Sequence, residues 1–157
     1  MSDVRPHEIM VPTTAPDDAR LRFIGKIHTP WSDRKDCPRQ GKIDGPECRI
    51  EIFEPWVPAL KGIEDYDRIE ILYWLDKARR DLVVQNPGHS DNVFGTFALR
   101  SPVRPNPIGT VLAKLVSVDG ATLVVRGLDC LNGTPLLDLK PDRCAFSPKA
   151  SPKPAAT

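Results

Sequence analysis

Residues 111–128 read VLAKLVSVDGATLVVRGL, and this stretch decides the fold class. Two strand-like runs flank Asp119-Gly120, the dipeptide that most readily takes the positive φ of a tight hairpin turn. Just downstream, LDCLNGTPLLDLK (128–140) places Asn132-Gly133 in a second turn. Working outward, RIEILYWL (68–75) is mostly apolar, with β-branched and aromatic residues, and suits a buried strand. CRIEIF (48–53) alternates apolar and charged residues, as a half-buried strand does. LRFIGKIHT (21–29) reads as a strand interrupted by Gly25 and stopped by Pro30, and VFGTFAL (93–99) as another. WVPALKGI (56–63) has room for a helical turn that Pro58 keeps short, and 77–92 reads as a polar connection. Proline is 17 of 157 residues, a density that long helices do not tolerate. The expected fold is all-β: a single-sheeted antiparallel β-barrel with short helical turns and proline-rich loops.

A chain of this length suits one domain. Residues 1–20 are polar, aperiodic and proline-bearing, and read as a loose arm. The barrel domain is expected over 21–146, and a disordered tail over 147–157. Hydrophobic residues are 40% and charged residues 27%, enough apolar material for a core. No apolar run is long enough to span a membrane, and the first residues lack the apolar region of an export signal. A cytoplasmic protein with free thiols is the expectation. Cys37, Cys48, Cys130 and Cys144 form no CxxC pair, and the histidines are scattered, so no metal site is expected. The net charge of +1 argues against a generic nucleic-acid binder and leaves room only for a local basic patch.

Four segments offer chemistry, and each also has a plain structural reading. TPWSDRKDCPRQGKIDG (29–45) carries Arg34, Lys35, Arg39 and Lys42; Pro38 stiffens the backbone before Arg39 and Gln40. A guanidinium fork suits a carboxylate or phosphate, and a Gln amide reads a donor–acceptor edge. The plain reading is a solvated loop. LRSPVRPNPIGT (99–110) is almost rigid because each proline fixes φ, and it presents Arg100 and Arg104; the plain reading is a crossover between strands. GLDCLNGTPLLDLKPD (127–142) sets Asp129, Asp138 and Lys140 around its turn, or is an ordinary hairpin with polar shoulders. LDKARR (75–80) clusters Lys77, Arg79 and Arg80 after a strand end, as a phosphate patch or a solvated turn. No GxGxxG, P-loop or GxSxG is present.

Together these segments resemble the TsaA-like family, the TrmO-type (YaeB-like) S-adenosylmethionine-dependent tRNA methyltransferases. The resemblance runs from about Phe23 to Pro141 through FIGKIHTPW, PRQG, LKGIEDYDRIEILYWL, VFGTFALRSPVRPNPIG and GLDCLNGTPLLDLKP. RSPVRPNPIG followed by D-x-x-x-G-T-P-x-x-D-x-K-P is its most specific part. The resemblance implies a β-barrel methyltransferase that uses S-adenosyl-L-methionine, works as a homodimer, and methylates N6 of a threonylcarbamoyl-adenosine beside the tRNA anticodon. Carried over by position, it implies cofactor contacts from Pro38, Arg39, Gln40, Asp76, Lys77, Arg100, Thr110, Leu128, Asp129, Cys130 and Leu131. In chemical terms, Asp129 or Asp76 suits ribose hydroxyls or an amino group, Arg39 or Arg100 suits the methionyl carboxylate, and backbone near Leu131 suits adenine. Asp138 is the candidate general base, and Arg104 and Lys140 are candidate contacts to acceptor phosphates. Where the family commonly reads Phe-Ser-His, this chain has Tyr66-Asp67-Arg68, and Asp76 stands where His is common. The larger bacterial members carry a further C-terminal domain, so the resemblance bears on the cofactor more directly than on tRNA. Other readings are methylation of a small molecule or another RNA, and a non-catalytic S-adenosylmethionine-binding module or partner protein.

Overall fold

The computed structural model describes residues 4–12 and 18–142. The expected tail (147–157) and Cys144 lie outside the described residues. Among the described residues nine strands occur in chain order: β1 (Ile9–Met10), β2 (Gly25–His28), β3 (Glu47–Ile52), β4 (Arg68–Trp74), β5 (Leu82–Gln85), β6 (Phe94–Gly95), β7 (Ile108–Asp119), β8 (Thr122–Arg126) and β9 (Thr134–Pro141). Among the described residues, helix is limited to single 3-10 turns, such as Val57–Leu60 and Thr96–Ala98. Among the described residues no helix is long and apolar enough to cross a membrane.

The chain divides into two compact units. Among the described residues, the larger comprises Arg22–Trp74 and 109–142; the smaller comprises 4–12, 18–21 and Leu75–Ile108. In the larger, six strands close a barrel in the order β2-β3-β8-β7-β4-β9. Closure removes the free edges that an open sheet would present. Alternation fixes which side chains point inward. In β3, Cys48, Ile50 and Ile52 are buried while Glu47, Arg49 and Glu51 are exposed. In β4, Ile69, Ile71 and Tyr73 face inward. Ile27, Ile50, Leu123, Val125, Leu115 and Leu136 complete a fully buried aliphatic centre. The Asp119-Gly120 hairpin joins β7 to β8 as expected, with Gly120 at φ 59°.

The expectation of a single sheet is corrected here. A separate three-stranded sheet, β1-β5-β6, lies in the smaller unit. Its strands pair over only two residues each, Ile9 with Val84 and Met10 with Leu82, then Val84 with Gly95 and Gln85 with Phe94. Pairing this short leaves no periodicity to read. β5 falls inside the stretch expected to be a polar connection, and β1 inside the stretch expected to be a loose arm. That stretch is further tied by Arg5 donating to the Asn86 carbonyl (2.8 Å) and by the Asn86 backbone N–H donating to Glu8 (2.9 Å). The ends of Leu75–Ile108 are joined by the Leu75 N–H donating to the Pro107 carbonyl at 2.8 Å.

Candidate functional site

The strand registers bring several predicted segments to one end of the barrel. His28 at the end of β2 pairs with Arg49 near the start of β3, and Glu47 pairs with Arg126 at the end of β8. Thr134 at the start of β9 pairs with Ile27, and Tyr73 near the end of β4 pairs with Leu136. The β2–β3 connection (29–46) and the β8–β9 connection (127–133) therefore emerge side by side.

Gly41 shows how closely these two connections pack. A Cβ there would overlap the Gly127 carbonyl and lie 3.1 Å from the Leu128 carbonyl carbon. Only glycine lets the backbone after Pro38-Arg39-Gln40 approach Gly127-Leu128 so nearly. Gly127 itself sits at φ 116°, a conformation that favours glycine. Arg39 and Gln40 are exposed at this junction, and Pro38 is half-buried.

The 127–133 loop is held from beneath by the residues after β2. The Thr29 hydroxyl donates to the Cys130 carbonyl at 2.8 Å, and the Thr29 N–H donates to Asn132 at 3.1 Å. The Asn132 N–H donates to the Trp31 carbonyl at 2.7 Å, and the Thr134 hydroxyl to the Leu131 carbonyl at 2.7 Å. Leu128 and Cys130 are buried, while Asp129 and Leu131 between and after them are half-buried. Burial pushes the Cys130 thiol up to about 12. The half-buried Cys37 thiol is also raised, first by desolvation and then by the neighbouring Asp129 carboxylate. Asp129 accepts a hydrogen bond from the Tyr73 hydroxyl at 2.8 Å.

The other predicted residues are placed differently. Thr110, exposed on β7, donates to Glu70 at 2.9 Å. A bulge in the β4–β9 ladder, where Leu136 pairs with Tyr73 but Asp138 pairs with Leu72, shifts the parity of β9. Asp138 and Lys140 are thereby turned to the outer face of the barrel, where they pair with each other at 3.1 Å. Neither joins the inward-facing Tyr73. Asp76, Lys77, Arg100 and Arg104 belong to the smaller unit. Asp76 and Lys77 are exposed in the turn closed by the Ala78 N–H and the Leu75 carbonyl, 3.0 Å apart. Arg100 is exposed and makes no hydrogen bond or ion pair with another described residue. Arg104 donates to the carbonyls of Leu99 (2.7 Å) and Ser101 (3.2 Å), and so stiffens its own loop. Sequence reasoning missed Tyr73 and Gly41. The signal for Tyr73 was its inward register after Ile69 and Ile71.

Arg68, one of the departures from the family's usual residues, also has a structural partner. It pairs at 3.0 Å with the buried Asp142 carboxylate just beyond β9. Among the described residues no cluster of three metal-ligating side chains occurs.

The fold and this loop geometry define a class: a small closed β-barrel with a glycine-fitted junction of two connections at one end. The chain belongs to the family described as tRNA-methyltransferase O N-terminal domain, which matches residues 26–146. It is 54% identical over 147 residues to the probable S-adenosyl-L-methionine-binding protein VirR of Rhizobium radiobacter, covering 94% of this chain and 84% of VirR. It is 35% identical over 126 residues to the tRNA (adenine(37)-N6)-methyltransferase of Rattus norvegicus, covering 75% of this chain but only 29% of that enzyme. The crystal structure of TrmO from Pseudomonas aeruginosa superposes with a TM-score of 0.68 at 26% identity, over 90% of this chain and 66% of that one.

Proposed function

We propose that this chain is an S-adenosyl-L-methionine-dependent methyltransferase acting on N6 of a modified adenosine, of the threonylcarbamoyl type, beside the tRNA anticodon. The observation that carries the reading is the seating of Gly41 on Gly127-Leu128, in a chain of this family. It joins the Pro38-Arg39-Gln40 and Leu128–Leu131 segments, two of those that the family resemblance implies for the cofactor. The residues present fit such a ligand. Exposed Arg39 offers a fork for a carboxylate, exposed Gln40 a donor–acceptor pair, and half-buried Asp129 an acceptor for hydroxyl or amino hydrogens.

When bound, S-adenosyl-L-methionine supplies an electrophilic methyl on a sulfonium. The chain's part is to hold the donor and acceptor in line, since alignment supplies much of the rate of such a transfer. Asp138, the candidate general base, pairs with Lys140 on the outer face, and Asp138→Asn tests that role by its effect on methyl transfer. Asp76, Lys77, Arg100 and Thr110 remain cofactor contacts to be tested one by one by alanine substitution. Homodimerisation and a cytoplasmic setting belong to the same proposal; sedimentation of the purified protein tests the first.

The test is thermal melting with and without S-adenosyl-L-methionine. Ligand at about 100 times its Kd adds ~2.7 kcal/mol, a rise of several degrees for a domain of this size. No shift at millimolar ligand overturns the cofactor reading. Transfer of labelled methyl to tRNA then tests the acceptor. A protein that contacts RNA phosphates also loses affinity steeply as salt rises.

A second reading, a binding module without transfer activity, has one observation in its favour. The relative that this chain spans for 84% of its length is named for binding, whereas only 29% of the tRNA methyltransferase is spanned. A melting shift with no methyl transfer to any RNA would select it; transfer to a small molecule would select the remaining alternative.

A further inference from the structure

We infer that Tyr73 is a positioning residue that holds the Asp129 carboxylate in place, with one oxygen occupied and the other presented to a hydrogen-bond donor of the ligand. The inference deepens the proposed cofactor site and rests on that reading for the identity of the ligand.

β4 sets the side chain. Ile69, Ile71 and Tyr73 share its inward face, and Tyr73 is 5% exposed. A purely apolar core would be served by phenylalanine at this position. A buried phenol instead needs a partner for its hydroxyl. Tyr73 finds one in Asp129 Oδ1 at 2.8 Å, on a different connection and 56 residues away in sequence.

Gly109 sets the ring. A Cβ at Gly109 would overlap the Tyr73 ring at three of its carbons. Gly109 is not among the residues with positive φ, so glycine is needed there for space and not for backbone conformation. The glycine that ends Pro-Asn-Pro-Ile-Gly thus lets the ring lie against the start of β7.

Asp129 is fixed from both sides. Gly127 with its positive φ precedes it, and the Cys130 carbonyl after it is held by Thr29. With the backbone and Oδ1 both fixed, little side-chain freedom is left to lose on binding. No described residue donates to Oδ2. A carboxylate held by a phenol donor remains an acceptor, so the ligand group facing it is a hydroxyl or an amino group. That matches the ribose hydroxyls or the amino group of S-adenosyl-L-methionine.

The experiment is a double-mutant cycle with Tyr73→Phe and Asp129→Asn, read by calorimetric titration of S-adenosyl-L-methionine. Tyr73→Phe keeps the ring and its packing on Gly109 and removes only the hydroxyl. Affinity is expected to fall about tenfold in Tyr73→Phe, further in Asp129→Asn, and no further in the double variant. Unchanged affinity in Tyr73→Phe overturns the inference and leaves the cofactor reading standing. Additive losses overturn it too, because a merely structural role would weaken both backgrounds alike. If the wild type itself binds no S-adenosyl-L-methionine, the cofactor reading fails. The same cycle read by denaturant unfolding of the ligand-free protein then decides whether Tyr73 holds Asp129: zero coupling overturns the inference, and clear coupling keeps it for another donor ligand.

Discussion

The two units are built from different materials. In the barrel, the buried side chains are chiefly aliphatic: Ile27, Ile50, Ile69, Ile71, Leu115, Leu123 and Leu136 among them. In the smaller unit, the described buried residues are Leu82 and Pro107 on the apolar side and Gln85, Asn86 and Thr96 on the polar side. Gln85 Nε2 donates to the Thr96 hydroxyl and to the Val103 carbonyl, both at 2.9 Å, and the Thr96 hydroxyl donates to the Leu82 carbonyl at 2.6 Å. Asn86 bonds Pro6 and Ser90 through its amide. A barrel core is stabilised by excluded water and dense packing, with cost set by cavity volume. A polar network gains less per bond, and loses most when one member is left buried without a partner. The two units are therefore expected to fail differently.

The largest effect is expected in the barrel. Leu136 is fully buried on β9, which pairs with both β2 and β4. Leu136→Ala should cost about 3 kcal/mol in denaturant unfolding. A loss below about 1 kcal/mol would mean that the barrel core collapses around the cavity. Breaking the Arg68–Asp142 pair comes next. Arg68→Met leaves the Asp142 carboxylate, 2% exposed, without its guanidinium, at a cost of about 3 kcal/mol. The double variant Arg68→Met with Asp142→Leu should recover much of it, since an apolar pair avoids the desolvation cost.

The smaller unit should respond locally. Gln85→Ala orphans the Val103 carbonyl and removes the donor to the Thr96 hydroxyl, at a cost of about 2 kcal/mol. Hydrogen exchange should quicken over 82–96 while β3 and β8 keep their protection. Equal quickening in both units would mean that they unfold as one. A smaller, pH-dependent effect attaches to Arg79, which donates to Asp81 at 2.7 Å and contacts the Met10 sulfur at 3.2 Å. The Arg79 hydrogen bond holds the Asp81 carboxyl below its ordinary value of 3.8. A lowered folded-state value contributes stability that is present above the ordinary range and lost as pH falls through the folded one. The difference in exchange between wild type and Arg79→Met should therefore shrink as pH drops below about 4. A constant difference would assign the role of Arg79 to its contact with Met10.

The same contrast explains what the sequence could disclose. The barrel strands were legible because their core faces are written in alternating residues: Cys48, Ile50 and Ile52 in β3, and Asp119-Gly120 with a strand on each side. β1 and β5 were not, because two paired residues have no period and their partners lie more than 70 residues away; β6 fell within the strand expected over 93–99 but covers only Phe94–Gly95 of it. The site was partly legible. The family resemblance nominates Arg39, Gln40 and Asp129, and register sets the connections that carry them side by side. That Asp138 and Lys140 face outward was not legible, because a bulge cannot be seen in a strand's composition. Tyr73 was hidden by looking like core.

The smallest expected effect is read as reactivity, and it reports on the barrel end only, since no cysteine falls in the smaller unit. Cys130 is buried with its thiol pushed up to about 12, so at pH 8 almost none is thiolate, the reactive form. Cys37 is half-buried and raised less, so peptide mapping after brief alkylation at pH 8 should find Cys37 modified and Cys130 intact. Part of the rise at Cys37 comes from the Asp129 carboxylate, after the larger contribution of desolvation. Asp129→Asn removes that charge, lowers the thiol's proton affinity, and should speed alkylation of Cys37 while leaving Cys130 protected. Equal rates in wild type and variant would mean that desolvation and the charges of Asp36, Arg34 and Asp33 set the thiol, and that the Asp129 carboxylate is turned away from the 29–45 connection. Faster alkylation would tie that carboxylate to the connection carrying Arg39 and Gln40, which the seating of Gly41 on Gly127 leads one to expect.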